Sequence, residues 1–384
     1  MQLRKLTVVA FAVAGAVGLA LPALGAPVHR SAAGRVTVLA SGLNNPRGLT
    51  WAHGKLWLAE GGRGGTDCPA GVLGPDGQPV CYGPSSSIDV ITAHGVTRVV
   101  TGLLSSSSPN GLAAEGVEAV APAAKGLLAV FGASVVGTFT EFPETSSLKP
   151  SDDRLARAEL GMLATVRGHR VAATADVGDF DYSWTAVHQS LVPDQYPDAN
   201  PNAVLPVGPT TYVADAGANT LSSVDSAGNV HALAFIPNNG SSDGVPTCLA
   251  VGPNGLIYIG ELAPGARAGG SNVYTYNPRS KRLKVWKSGF NAVDGCGFDA
   301  AGSFYVVELQ NHGFNPSPTG NPAGDVIRIA KNGKRTVLGA GTLFFPQGFA
   351  TDGKHHIYVS NWSVQPGTPI APGAPTGQVV RIDV

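Results

Sequence analysis

A pattern that recurs six times along the chain constrains the fold more than any single residue does. Each copy starts with a Pro-x-Gly-Leu-like segment and continues through a turn into an aliphatic and aromatic strand that ends in a polar residue. A loop and two more strands follow. We place the six starts at residues 46–49, 109–112, 201–204, 246–249, 294–297 and 346–349. A chain that repeats one β unit in this way is expected to build a radial, all-β fold.

Each repeat contains four strand-like runs, which is the content of one propeller blade. The sequence therefore predicts a six-bladed β-propeller with blades over 46–104, 109–175, 200–237, 246–289, 293–340 and 346–384. The last repeat has only three strands, whereas the segment 35–40 is a strand without a blade. We predict that this N-terminal strand completes the sixth blade, because ring closure removes exposed sheet edges.

The N-terminus has the features of a secretion signal. Arg4 and Lys5 precede an apolar run that ends in small residues before Ala26, the usual arrangement at a signal-peptide cleavage site. A membrane anchor is the alternative, since the run is about as long as a spanning helix, but its Gly and Pro content favours cleavage. We therefore predict a signal peptide over 1–25, a short linker over 26–34 and one domain over 35–384. The product is expected to be secreted and monomeric, without stable membrane insertion.

The charge balance argues against a nucleic-acid partner. Residues 1–25 contain two basic and no acidic side chains, so the predicted mature chain carries 24 basic and 26 acidic side chains. Binding to nucleic acid calls for a basic stripe or patch. The partner is instead expected to be a protein, an envelope polymer or a small molecule.

Four cysteines in an exported chain predict two disulfides. Cys68 and Cys81 bracket a Gly- and Pro-rich loop, while Cys248 and Cys296 occupy the same position in two consecutive repeats. The second pair would link the innermost strands of neighbouring blades. The alternative for this pair is two buried free thiols.

Most of the variable length in the repeats follows the second strand. In a meander blade this loop emerges on the same face as the connection between blades, so the long loops should gather on one face, here called the loop-rich face. The long connection 178–200 belongs to this face. Its polar and aromatic residues include Asp179, Asp181, Asp194 and Asp198 together with Tyr182, Trp184 and Tyr196. Variable loops on a rigid scaffold commonly carry binding functions.

One ring of candidate site residues lies at the start of the innermost strands, beside the central channel. Its members are Arg47, Asn110, Asn202, Thr247, Gly295 and Gln347, with Asp294 one step earlier in the fifth repeat. Amides and a carboxylate are oxygen donors of the type that Ca²⁺ accepts, so Asn110, Asn202 and Asp294 form a candidate metal set. Arg47 instead favours an anionic ligand. A purely structural role, in which these groups bond turn backbone and channel water, is the third interpretation.

A second ring ends the second strands: Glu60, Gly132, Asp215, Glu261, Glu308 and Asn361. Four carboxylates at equivalent positions are also the pattern of a metal or acid/base cluster. Because the side chain recurs in most repeats, we interpret this ring as structural, and the cluster is the alternative. Established motifs such as Cys-x-x-Cys and His-Glu-x-x-His are absent from the sequence. His312, which follows Glu308 in a long loop, is a candidate general base, and a solvated surface histidine is the alternative.

Several phrases resemble NHL repeats, among them Tyr212–Thr220, 255–259 and 302–306. With Leu43–Leu49 and Asp198–Asn202, the chain over about 35–384 is similar to the ScyD/ScyE family of exported bacterial propellers. The resemblance implies a propeller fold and export, and it carries no assigned reaction.

Two functions from different classes remain open at this point. The first is a secreted binding module that uses its loop-rich face, and the second is a Ca²⁺-dependent lactonase or esterase at the mouth of the central channel. Carboxylates that converge in the channel would favour the enzyme, whereas a mouth closed by the Cys68–Cys81 loop would favour binding at the rim. A structural module of an envelope assembly is a third possibility, which predicts an exposed apolar rim.

Overall fold

The structure is a computed structural model that describes residues 34–74, 77–92, 94–192, 195–240, 242–314 and 321–384. The predicted signal peptide and Asp194 lie outside these described residues. Within them, six four-stranded antiparallel sheets form a ring around a central channel. The predicted six-bladed β-propeller is confirmed.

The first half of the chain forms strand β1 and three blades. Strand β1 spans Val36–Leu43. Blade 1 comprises β2 (Pro46–Ala52), β3 (Lys55–Glu60), β4 (Cys81–Thr92) and β5 (Gly95–Ser107). Blade 2 comprises β6 (Val117–Pro122), β7 (Leu127–Phe131), β8 (Met162–Arg167) and β9 (Arg170–Asp176). Blade 3 comprises β10 (Pro201–Val207), β11 (Thr210–Asp215), β12 (Thr220–Val224) and β13 (Val230–Phe235).

The second half forms the remaining blades. Blade 4 comprises β14 (Pro246–Val251), β15 (Ile257–Glu261), β16 (Ser271–Asn277) and β17 (Arg282–Phe290). Blade 5 comprises β18 (Val293–Phe298), β19 (Phe304–Glu308), β20 (Ala323–Ile329) and β21 (Arg335–Phe344). Blade 6 comprises β22 (Gln347–Thr351), β23 (His356–Asn361), β24 (Gly377–Asp383) and, as its outer strand, β1.

Strand β1 closes the ring as predicted. It pairs antiparallel with β24, with Val36 opposite Ile382 and Leu43 opposite Gly377. The closure joins the two ends of the domain, so that no blade lacks its fourth strand. A ring closed in this way leaves only short outer edges for contact with other chains.

The blades adhere through apolar side chains that alternate along each strand. In β19, Phe304 and Val306 pack towards blade 4, whereas Tyr305 and Val307 pack towards blade 6. All four side chains are buried. A strand covered on both faces needs such a continuous apolar run, because successive side chains point to opposite sides.

Helical segments enlarge the loop-rich face at blade 2. The insertion after β7 contains α1 (Val135–Glu141), a 3₁₀ turn (Pro143–Ser147) and α2 (Pro150–Glu159). The connection to blade 3 contains α3 (Val177–Val187) and a second 3₁₀ turn (Gln189–Leu191). Ser134 caps α1 by accepting a 2.8 Å hydrogen bond from the Gly137 N–H. In the described part of the chain, no helix has the length and apolar character needed to span a membrane.

Both predicted disulfides are present. Cys68 and Cys81 are joined with their Cα atoms 4.1 Å apart. Cys248 on β14 and Cys296 on β18 are joined with their Cα atoms 5.7 Å apart. The second bridge links the innermost strands of blades 4 and 5, as the repeat positions predicted.

We expect the second disulfide to contribute more to stability than the first. The bridges join residues 48 and 13 positions apart, and loop entropy gives about 4 and about 3 kcal/mol respectively. Chemical unfolding of the double variants Cys248→Ala/Cys296→Ala and Cys68→Ala/Cys81→Ala, each against the oxidised wild type, measures the two contributions. An inter-blade variant as stable as the wild type would contradict this expectation.

Candidate functional site

A β-bulge at the start of the innermost strand directs one residue towards the channel in blades 2 to 5. In blades 2 to 5 the register skips Glu118, Asn202, Thr247 and Asp294, each one position after the residue that pairs with the end of the second strand. A bulge leaves a residue out of the ladder and re-aims its side chain. With their equivalents Arg47 and Gln347, these residues form what we call the channel ring. All six are at most 6% exposed.

The structure corrects two positions of the predicted ring. Asn110 does not start a strand; it is exposed in the connection between blades 1 and 2, where its Oδ1 accepts from the Leu112 N–H. Glu118 holds the blade 2 position instead, so the predicted start of that blade at 109 is wrong. In blade 5 the ring residue is Asp294 rather than Gly295, because Val293 stands where blades 1, 3, 4 and 6 have proline.

Arg47 is the largest fully buried side chain among the described residues and lies at the centre of the ring's polar contacts. Its Nη1 donates to Gln347 Oε1 at 3.1 Å, and its Nη2 donates to the carbonyl oxygen of Ala114. Its Nε lies 3.5 Å from Glu118 Oε2. One side chain of blade 1 thereby contacts blade 6, blade 2 and the connection between blades 1 and 2.

Asp294 is a second buried acid in the ring, and its carboxylate has no hydrogen-bond donor among the described residues. It is 2% exposed. Burial raises the pKa of Asp294 well above its usual range, opposed by Arg47 and reinforced by Glu118. Burial also raises the pKa of Glu118, opposed by Arg47. A proton on one of the two acids balances the charge of the group.

A cavity of about 80 Å³ lies along the innermost strands beside the ring and is lined by Asp294, Glu118, Asn202 and Thr247, among others. A water molecule needs roughly 10–15 Å³ of such volume, so the cavity holds several waters. Glycines let neighbouring innermost strands approach closely here. A Cβ on Gly48 would lie 2.8 Å from the Ala119 Cα, and one on Gly348 would lie 2.4 Å from the Arg47 carbonyl oxygen. A drug-sized ligand needs several times this space.

An apolar layer lies between the ring and the loop-rich face. It is made of buried residues at or near the starts of innermost strands and the ends of second strands: Ala216, Val245, Leu262, Ala292, Leu309, Phe345 and Val364. The blade 1–2 connection joins this layer, since the Ala113 N–H donates to the Val364 carbonyl oxygen at 3.0 Å. The Cys68–Cys81 loop is not part of this layer and lies against the insertion of blade 2. The carboxylate of Asp67, directly before the loop, accepts from the Lys149 N–H of that insertion at 2.6 Å.

The ring does not fit the predicted metal set. Asn110 is outside the channel, and the Arg47 guanidinium lies between Glu118 and Gln347, where a bound cation would meet like charge. Among the described residues, no cluster of three or more His, Cys, Asp or Glu side chains has an arrangement that could hold a metal ion. Of the predicted metal-binding residues, the structure brings Asn202 and Asp294 to the same cavity.

The remaining candidates lie on the loop-rich face. Asp198 accepts from the Ala199 N–H at 2.8 Å, and burial, then the charge of Glu141, raises its pKa well above the usual range. His312 is exposed, with its Nδ1 2.5 Å from the Asn311 Oδ1. Among the described residues, Glu308 makes no hydrogen bond to His312. Its Oε1 instead accepts from the Asn291 N–H.

The second ring fixes the connections between blades. In four blades, the residue that ends the second strand accepts a hydrogen bond from a backbone N–H just before that blade begins. The pairs are Asn44 to Glu60, Asn200 to Asp215, Asn291 to Glu308 and Phe344 to Asn361. These contacts support the structural interpretation. In blade 2 the equivalent position is Phe131 rather than Gly132, and Asn200 Oδ1 instead accepts from the Ala133 N–H there.

Several of these acids have a second buried acid beside them. Glu308 lies opposite Asp325 in the ladder between β19 and β20. Burial, then the charge of Asp325, raises the pKa of Glu308 to about 8. Burial followed by the neighbouring Glu60 raises the pKa of Asp89 to about 9. The folded protein therefore holds protons on carboxyl groups that are ionised in an unfolded chain at neutral pH.

Comparison with solved structures supports the fold and leaves the function open. A structural-genomics protein of unknown function from Bacteroides thetaiotaomicron has a TM-score of 0.53 at 10% identity, covering 91% of this chain and 75% of its own. A putative gluconolactonase has a TM-score of 0.50 at 12% identity, with coverage of 92% and 93%. A calcium-binding protein, regucalcin, from Agrobacterium tumefaciens has a TM-score of 0.48 at 12% identity, with coverage of 91% and 95%.

At these identities the likeness shows the six-bladed fold alone. No model of a protein family matches the chain, and no curated protein matches its sequence. The function must therefore be inferred from the surface and the channel themselves.

We expect Arg47→Met to be strongly destabilising. The change removes the cation from a buried pair and leaves Glu118 without its partner, which costs about 3–5 kcal/mol. Arg157→Met is the matched control, because Arg157 pairs with Asp153 at the surface, where such a change costs about 0–1 kcal/mol. Urea unfolding of both variants checks the difference. Equal stability of the two variants would show that the channel pair is not required.

We also expect the free energy of unfolding to fall as the pH rises. The raised pKa of Glu308 gives a contribution that is fully present below about pH 4.3, the unfolded value, and is lost as the pH approaches about 8. Asp325→Asn removes the neighbouring charge and should flatten the decline measured between about pH 5 and pH 8.

Asp225→Asn is the control for this measurement. Hydrogen bonds from Asn229 lower the pKa of the exposed Asp225, so its effect is confined to acid pH, below about 4. Identical pH slopes for the wild type and Asp325→Asn would refute the role of the carboxyl pair.

Proposed function

We propose that this chain is a secreted binding module that holds a protein partner on its loop-rich face. Exposed large apolar side chains on the blade 2 insertion and the blade 2–3 connection carry the proposal. Val136, Val187, Leu191 and Tyr196 are 42–78% exposed. We call these four residues the blade 2–3 patch. Apolar and aromatic groups of this kind act as anchors at protein interfaces.

The patch belongs to an ordered surface. Helices α1 and α3 are linked by a 2.8 Å hydrogen bond from the Val136 N–H to Asp179 Oδ1. At the C-terminal end of α3, Trp184 stacks on His188 with their ring centroids 4.0 Å apart. A surface held in place loses little conformational entropy when it binds, and this favours affinity.

Acidic groups near the patch indicate the charge of the partner. Glu141 and Asp179 lie on the same insertion and connection, and the charge of Glu141 adds to burial in raising the pKa of the neighbouring Asp198. Complementary charge at an interface rim steers association. The partner is therefore a protein with an apolar anchor and a basic rim.

The geometry favours binding over the alternative lactonase or esterase. The apolar layer separates the channel ring from the loop-rich face, and the cavity beside the ring is about 80 Å³. The interpretation as a partner-binding module is also in keeping with the resemblance to the ScyD/ScyE propellers, of which this chain would be a member. Export is supported by the N-terminal signal pattern and by the two disulfides.

The test compares two triple variants of the mature protein. Val187→Ser/Leu191→Ser/Tyr196→Ser removes most of the patch, whereas Val38→Ser/Val285→Ser/Val337→Ser changes equally exposed valines on outer strands. Immobilised wild type and both variants are incubated with envelope and medium proteins of the producing organism, and the affinity for each retained protein is then measured with purified material.

We expect a partner that binds the wild type and the outer-strand variant but loses at least about tenfold in affinity for the patch variant, since each lost anchor costs more than about 1 kcal/mol. Its association rate should fall with added salt. A partner that binds the patch variant as tightly as the wild type, or retention of no specific protein, would overturn the proposal.

A further inference from the structure

The channel ring surrounds a guanidinium with the kinds of oxygen that usually surround a metal ion. Around Arg47 stand the Glu118 carboxylate, the Gln347 amide oxygen and the Ala114 carbonyl oxygen. Carboxylate, amide and backbone carbonyl oxygens are the ligands of Ca²⁺. They come from blade 2, blade 6 and the blade 1–2 connection, so that one buried cation gathers separate parts of the ring.

A second carboxylate lies in the same enclosure without a hydrogen-bond donor. Asp294 is 2% exposed, lines the cavity beside the ring, and has no hydrogen bond to either oxygen within the described residues. Glu118 and Asp294 together carry two acidic groups against the single charge of Arg47. The ring therefore has oxygen ligands and negative charge for a cation of higher charge than a guanidinium.

We infer that the guanidinium of Arg47 replaces a divalent metal ion in this channel, and that the same oxygens form a Ca²⁺ site once the guanidinium is removed. The wild-type ring is then independent of metal, in contrast to the calcium set that the sequence predicts. This inference does not depend on the proposed partner binding, because the apolar layer separates the ring from the loop-rich face.

The space and the remaining ligands fit this inference. Replacing Arg47 by a shorter side chain frees the volume of the guanidinium next to Glu118 and Gln347, two residues that also line the cavity of about 80 Å³. Ca²⁺ takes six to eight oxygens, and waters in a cavity of this size complete the set. Asn202 and Thr247 line the same cavity and supply further side-chain oxygens.

The experiment is thermal unfolding of the mature, oxidised protein in EDTA and with Ca²⁺ added back. Arg47→Gln removes the charge and keeps a polar side chain. Arg47→Lys keeps a cation in the ring and is the matched control. Arg47→Gln/Asp294→Asn removes both the guanidinium and one of the two carboxylates.

We expect Ca²⁺ to raise the unfolding midpoint of Arg47→Gln by at least about 3 °C, because a site present only in the folded state stabilises it by mass action. The wild type and Arg47→Lys should shift by less than about 1 °C, and the double variant should lose most of the gain. A Ca²⁺ shift of the same size in the wild type, or none in a folded Arg47→Gln, would overturn the inference.

Arg47→Gln could fail to fold in EDTA. The decisive observation is then whether Ca²⁺ restores a cooperative transition. Recovery supports the inference. Failure to recover at about 10 mM Ca²⁺, above the dissociation constants of weak extracellular calcium modules, would refute it.

Discussion

The buried guanidinium of Arg47 is the contact on which the centre of the ring depends. A propeller closes around an axis where several innermost strands meet, and here the meeting point contains two acids. From blade 1, Arg47 contacts Glu118 of blade 2, Gln347 of blade 6 and the Ala114 carbonyl oxygen of the blade 1–2 connection. One side chain therefore neutralises a buried acid, links the first and last blades and holds the connection in place. A buried charge is tolerated only when it is paired and hydrogen-bonded, and this makes the centre intolerant of change.

The β-bulge explains how the repeats produce this arrangement. In blades 2 to 5 a bulge places one residue out of register beside the channel, while the next positions return to the apolar alternation that joins neighbouring blades. Because the bulged residue lies outside the ladder, its side chain differs from blade to blade while the repeat is kept. Three blades use charged residues there, and three use neutral polar ones. The repeats set where the ring lies, and its chemistry is set separately at each bulge.

The fold could be predicted from the sequence, but the ring only in part. Blade number, ring closure by 35–40 and both disulfides follow from strand patterns and repeat spacing, which are local signals. Asn110 was misplaced because Pro109–Leu112 has the composition of a repeat start but forms a turn, whereas the true start at Val117 lacks proline. Aligning the strand Leu127–Phe131 with the second strands of the other repeats would have placed Glu118 at the ring position. The Arg47–Glu118 contact and the apolar layer depend on how separate blades meet, and no local sequence pattern contains that information.

The charged channel ring and the exposed apolar groups lie in different parts of this molecule, and this arrangement favours a binding role. Beneath the apolar layer, Arg47 pairs with Glu118, while Asp294 faces a cavity suited to water. The exposed apolar groups of the loop-rich face instead gather where blade 2 departs most from the compact plan of blade 3. Exposed apolar surface of this kind is retained when something covers it. The rigid ring supplies a fixed base, and the insertion presents the surface that a partner would recognise.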